Sequence, residues 1–175
     1  MSTDAPPEPR PAAPDDYTRL VAFLDRNFPA TAPFGGMAAT HGHITGPDPE
    51  TMANYYLVEQ DGRLASVLGV FPLETVIGPR RLTLGGIGAV ATDDVFRGRG
   101  LMSAQLLHVQ SEMARKGFPL SILWGNRARY GRYGWELTGR QEHFTLEAKQ
   151  LDEIAPHIAD AVVDYNGSEP HRRTI

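Results

Sequence analysis

At 175 residues, with 41% hydrophobic and 22% charged side chains, the chain suits one domain with a sizeable core rather than two. Its formal net charge of −4 gives no global pull towards nucleic acid, so any anion site must be local. Cysteine is absent, which excludes disulfides, thiolate metal sites and a cysteine nucleophile and suits a reducing compartment, and no apolar run nears the ~20 residues of a membrane span.

The start, MSTDAPPEPRPAAPDD, is acidic and proline-rich, unlike a secretion signal, and a cytoplasmic location is expected. Residues 1–14 hold little to bury and read as a mobile arm. Asp15 reads as an N-cap, followed by Tyr17, Leu20, Val21, Leu24 and Phe28 at helical spacing, with Pro29 ending the run. Residues 30–51 are irregular, with room for a short helix or two. A meander comes next: a strand over 55–59, a turn at Gln60–Arg63, a longer strand over 64–76, a turn at Gly78-Pro79 and a third strand over 81–92.

A helix is predicted from about Gly100 to Lys116. Met102, Leu106, Val109 and Met113 form its apolar stripe, and Gly117 closes it. Pro119–Trp124 is almost wholly apolar and reads as a strand buried on both faces. Residues 127–133 suit a brief helix, Trp135–Glu136 with Glu142–Leu146 a closing hairpin, and Ile154 to Tyr165 a last helix. The order implies an α+β fold around one mixed, largely antiparallel sheet flanked by helices, with a single domain over 15–149 and a helix, tail or linker over 150–175.

The chemistry concentrates in Gly85–Ser103. A strand ends near Thr92, a loop carries Arg97-Gly98-Arg99-Gly100, and an amphipathic helix begins at once. Free amides at a helix start attract anions, glycines let the backbone approach closely, and arginines add charge that suits phosphate. The stretch therefore reads as a diphosphate clamp, or as an exposed turn before a helix. Gly86 to Ala91 also fits G-x-G-x-x-A, but no helix starts within it, as a dinucleotide fingerprint requires.

Val90-Ala91-Thr92 followed by Phe96-Arg97-Gly98-Arg99-Gly100-Leu101-Met102 resembles the coenzyme A signature of the GNAT superfamily of N-acetyltransferases. The family pattern Gln/Arg-x-x-Gly-x-Gly/Ala is met by Arg97 and Gly100, while Met102 departs from its last position. That departure is similar to the enhanced-intracellular-survival branch. The resemblance makes 15–149 an acetyltransferase domain and implies acetyl-coenzyme A as co-substrate, with the backbone of Val90, Ala91 and Thr92 on the pantetheine arm and acetyl carbonyl. The amides of Gly98, Arg99, Gly100, Leu101, Met102 and Ser103 would take the pyrophosphate.

Tyr130-Gly131-Arg132-Tyr133-Gly134-Trp135 resembles the family's Tyr-x-x-aromatic-Gly-aromatic run. The resemblance makes Tyr130 the acid that reprotonates the departing thiolate, a task a phenol of pKa about 10 can perform, and sets Asn126 on the pantetheine arm. From the residues alone, Tyr130 reads equally as a half-buried aromatic of the sheet, and Tyr133 and Trp135 as core. No general base stands out among Glu74, Asp93, Glu136, His41, His43 and His108, and a water relay is expected. The histidines lack metal-ligand spacing, so no metal is expected.

The implied activity is acetyl transfer to a primary amine, on a small molecule or a peptide, with neither nucleic acid nor membrane as partner and homo-oligomerisation left open. A non-catalytic coenzyme A-binding or regulatory module is the alternative. Members of the survival branch continue into a second acetyltransferase-like domain and a sterol-carrier-like domain, whereas this sequence stops at Ile175. It reads either as a short relative or as part of a longer chain.

Overall fold

The computed structural model describes residues 6–138, and Lys149 besides. The chain divides into compact units at Met1–Leu137 and Thr138–Ile175, and every helix and strand from Arg10 to Tyr133 lies in the first. The second strand of the predicted closing hairpin and the last predicted helix fall outside the described residues.

Strands β1 (Arg10–Pro11), β2 (Tyr55–Gln60), β3 (Arg63–Ile77), β4 (Arg80–Thr92) and β5 (Ser121–Leu123) form one sheet in that order. The first four neighbours pair antiparallel and β4 pairs parallel with β5, giving the mixed α+β sheet expected. Helices α1 (Tyr17–Asn27), α2 (Gly36–Thr40) and α3 (Pro49–Met52) cover one face. Leu20, Phe23, Leu24, Met37 and Met52 there meet Tyr55, Leu57, Val67 and Phe71. Helix α4 (Leu101–Arg115) covers the other, setting Leu106, Val109 and Met113 against Tyr56, Leu68, Val70 and Ile87. Alternate strand residues serve opposite faces, as the pleat requires. The glycines of the G-x-G-x-x-A run lie inside β4, where a Cβ on Gly86 would meet Leu73 at 2.6 Å. They are packing notches.

Three expectations are corrected. The arm is not free to residue 14: Arg10 and Pro11 pair with Leu57 and Tyr56, and Ala12 is buried. Asp15 is exposed, and it is the buried Asp16 that anchors the helix start. The strand after α4 spans only three residues and is half-buried, with Leu120 and Trp124 exposed, and among the described residues it is held by three register pairs with β4.

Asp16 accepts hydrogen bonds from the Arg10 and Arg19 guanidiniums and from the Ala13 amide, and both arginines also donate to Glu59 on β2. The Arg10 hydrogen bonds, outweighing burial, hold the Asp16 carboxyl well below its usual range, and Arg19 with Arg10 lowers that of Glu59. Carboxylates depressed in the folded state stabilise it above their unfolded pKa of about 4 and lose that contribution as pH falls. Asp16→Asn should therefore cost about 1–3 kcal/mol at neutral pH, since the partner arginines are half-exposed. The gap between variant and parent should begin to narrow as pH falls below about 4 and should close only in strong acid, beneath the depressed pKa of Asp16. Melting curves across that range check it, and parallel curves would refute the assignment.

Candidate functional site

The site sits where β4 and β5 part. They pair only from Gly85–Ile87 to Ser121–Leu123. Just beyond, β4 carries a bulge: between the pairs Gly69↔Gly88 and Val67↔Ala91, Leu68 alone faces Ala89 and Val90. Ala89 adopts φ 52°, a left-handed conformation uncommon without glycine, and such bulges bend a strand and re-aim the residues after them. Past Ile87 the β5 side of β4 has no strand partner among the described residues, leaving a backbone edge at Val90–Thr92.

A buried polar knot fixes that edge. Ser66 Oγ lies 3.0 Å from Ala91 O and 2.9 Å from Thr92 Oγ1, and also contacts Gln105 Oε1. Gln105 Nε2 donates to Tyr56 O at 2.9 Å. The helix, the end of β4 and two further strands are thus tied through the fully buried Ser66 and Gln105, whose satisfaction matters most in low dielectric. Gln105 gave no signal in the sequence, where it stands beside the apolar stripe.

The loop leaving β4 is equally held. The Asp93 side chain accepts from Val95 N, and Phe96 is buried with Val58, Ala65 and Leu101. The Arg99 guanidinium lies 5.1 Å from the Phe96 ring centre. Gly98 and Gly100 have φ of 77° and 76°, and Gly100 is the N-cap of α4. In this geometry the amides of Gly98 to Ser103 find no acceptor among the described residues. Six donors at the positive end of a 15-residue helix make an anion cradle. A Cβ on Gly98 would meet nothing within 4 Å, and on Gly100 only Pro6 at 4.0 Å, so the approach to the backbone is open.

A cavity of about 690 Å³ joins these parts. Val90, Ala91, Thr92, Arg97, Gly98, Gly100, Leu101, Met102 and Ser103 line it, all expected from the sequence. Asn27, Phe28, Arg129 and Arg132 line it too and were not foreseen. Among the predicted residues, Arg99, Asn126 and Tyr130 are not in its wall. Arg99 stacks on Phe96 and donates to Val95 O. Asn126 caps α5 (Arg127–Tyr130), its side chain accepting from Ala128 N at 2.8 Å. Tyr130 is buried, 6.4 Å from the Trp135 ring, in the apolar cluster against which Val90 packs. It is the neighbouring Tyr133 whose hydroxyl bonds Ser103 at the start of α4.

None of the base candidates lines the cavity. Glu74 accepts from Thr83, Glu136 pairs with Arg127, Asp93 caps its loop, His108 packs on Tyr56 and His41 meets Thr40. No helix among the described residues is long and apolar enough to cross a membrane.

A family model for the acetyltransferase (GNAT) domain matches residues 8–138. Among solved structures, a GCN5-related N-acetyltransferase from Anabaena variabilis is similar at a TM-score of 0.60 and 23% identity, over 72% of this chain and 30% of that one. One from Ralstonia eutropha gives 0.58 and 20%, over 79% and 97%. A predicted acetyltransferase from Clostridium acetobutylicum, solved with acetyl-CoA, gives 0.59 and 16%, over 83% and 97%. This chain thus spans less than a third of the Anabaena protein. No curated protein sequence gives a match. With the family model covering most of the chain and the fold agreeing, this protein belongs to the GNAT acetyltransferase domain family.

Proposed function

We propose that the chain moves an acetyl group from acetyl-coenzyme A to a primary amine by direct attack, with Tyr130 as general acid. The observation that carries this reading is the cavity that joins six amides at the start of α4, without an acceptor among the described residues, to the edge of β4 that no described strand covers. The fit is chemical: the wall contains arginines, glycine backbone and, among the described residues, no carboxylate.

When bound, acetyl-coenzyme A supplies an activated acetyl thioester. The amides of Gly98 to Ser103 hold the diphosphate, and the edge at Val90–Thr92 pairs with the pantetheine arm. An amide of Val90 or Ala91 donates to the carbonyl oxygen as it gains charge, the role of an oxyanion hole. The amine nitrogen forms the new C–N bond, the C–S bond breaks, and the sulfur takes the Tyr130 hydroxyl proton. The surplus amine proton leaves through water, and solvent restores the phenol. Tyr130 supports this role through its shared cluster with Val90 and its place in the family-like run. Met102, where the family pattern has Gly or Ala, favours the enhanced-intracellular-survival branch. The acceptor is a small-molecule or peptide amine, and the acetyltransferase domain is 15–149, to whose sheet Arg10–Pro11 adds an edge strand.

Acetyl-coenzyme A should raise the melting temperature and NAD or ATP should not. Thiol release across a panel of amines then tests turnover. Stabilisation by a dinucleotide alone would overturn the reading. Binding without turnover on any amine would favour the second reading, a coenzyme A-binding module, which the absence of carboxylate and imidazole from the described cavity wall supports.

A further inference from the structure

Charge in the cavity is one-sided. Arg97, Arg129 and Arg132 contribute to its wall and no described acidic residue does, in a chain of net charge −4. The arginines differ in what already occupies them. Arg97 lies 2.7 Å from Asp94, and Arg127, just before, is paired with Glu136 at 2.8 Å. Among the described residues, Arg129 and Arg132 make no ion pair. Like charges facing a common space without counter-charge repel, and a bound anion relieves that.

Their placement is also structured. Both come from the segment after β5, so they reach the cavity across the gap from β4 and α4. The Arg132 guanidinium stacks on Tyr133, 4.8 Å from its ring centre. Tyr133 is fixed in turn, its hydroxyl bonded to Ser103 and its carbonyl accepting from Gln110 Nε2. A guanidinium on a fixed ring presents a planar fork of donors suited to phosphate at small loss of freedom.

We propose that Arg129 and Arg132 grip a phosphate of coenzyme A from the side opposite α4, so that its phosphates are held between two guanidiniums and the six amides. This rests on the acetyl-coenzyme A reading above. The cradle of amides alone would hold any small anion. The second wall makes affinity depend on how many phosphates the ligand carries and where.

The test is calorimetry on the full chain with coenzyme A and with dephospho-coenzyme A, which lacks the ribose 3′-phosphate. The parent is compared with the Arg129→Gln/Arg132→Gln double variant. Both side chains are exposed, so the variant should melt with the parent. Its affinity for coenzyme A should fall about 10–100-fold, and the Lys/Lys double variant should recover part of the loss. A loss confined to coenzyme A assigns the grip to the 3′-phosphate, and an equal loss for both ligands assigns it to the diphosphate. Either supports the proposal. Affinity within about twofold of the parent would overturn it, including the case where only the KM of an anionic amine rises. Failure of the parent to bind either ligand would overturn the acetyl-coenzyme A reading itself, and this proposal with it.

Discussion

Tyr130→Phe should lower turnover by about 10²–10⁴-fold, the range for losing a positioned acid, while leaving affinity for acetyl-coenzyme A almost unchanged. The hydroxyl matters only as sulfur gains charge on leaving, so the loss should appear in kcat rather than in binding. Stability should move little. The ring, which carries the packing against Trp135 and the cluster of Val70, Ile87 and Leu106, is kept, and the hydroxyl makes no hydrogen bond among the described residues. If Tyr130 serves packing alone, turnover stays near normal. Single-turnover thiol release with a melting curve separates the two, because product release can mask a slowed chemical step. Tyr133→Phe is the companion: its hydroxyl already bonds Ser103, so that variant should disturb the start of α4 and coenzyme binding more than the chemistry. A normal single-turnover rate in Tyr130→Phe beside a collapsed one in Tyr133→Phe would assign the proton to the other tyrosine.

Gly100→Val should weaken coenzyme A binding by about 100-fold or more, with the fold retained. Two physical terms combine. At φ 76° a β-branched residue is strained by roughly 1–3 kcal/mol, and the branched side chain stands over amides that would face phosphate. The position is exposed and a Cβ there meets only Pro6 at 4.0 Å, so the strain is relieved by re-orienting the loop rather than by unfolding the core. Re-orientation is itself the damage, since anion binding needs convergent donors. Gly98→Ala calibrates the backbone term, with the same left-handed φ and nothing within 4 Å of its Cβ. It should bind better than Gly100→Val. Unchanged affinity in Gly100→Val would mean that the anion is held elsewhere.

Strands β2, β3 and β4 and helix α4 were each legible to within a residue or two, because alternation and the stripe of Leu106, Val109 and Met113 are local periodic signals. The loop from Arg97 to Ser103 was legible for a related reason: a helix start needs glycine and free amides within a few residues of one another, and the sequence spells them consecutively. The same local logic misassigned Asp15. Either aspartate could start the helix, and the choice of Asp16 depends on Arg10 and on Glu59, a distant residue brought alongside by its place on β2.

Strands β2 to β4, helix α4 and the loop proposed to hold an anion were determined by the sequence alone, since each depends on neighbours within a turn or a pleat. Tertiary structure decided the rest. Arg10–Pro11 is too short to be a strand without the edge of β2. Gln105 is buried because Ser66 and the Tyr56 carbonyl wait beneath it. The bulge at Ala89 is a misfit of two strands and belongs to neither alone. Arg129 and Arg132 read as surface charge until the chain after β5 folds back across the gap beside β4. Each of these depends on residues distant in sequence, whose meeting is set by how the layers pack rather than by any local pattern.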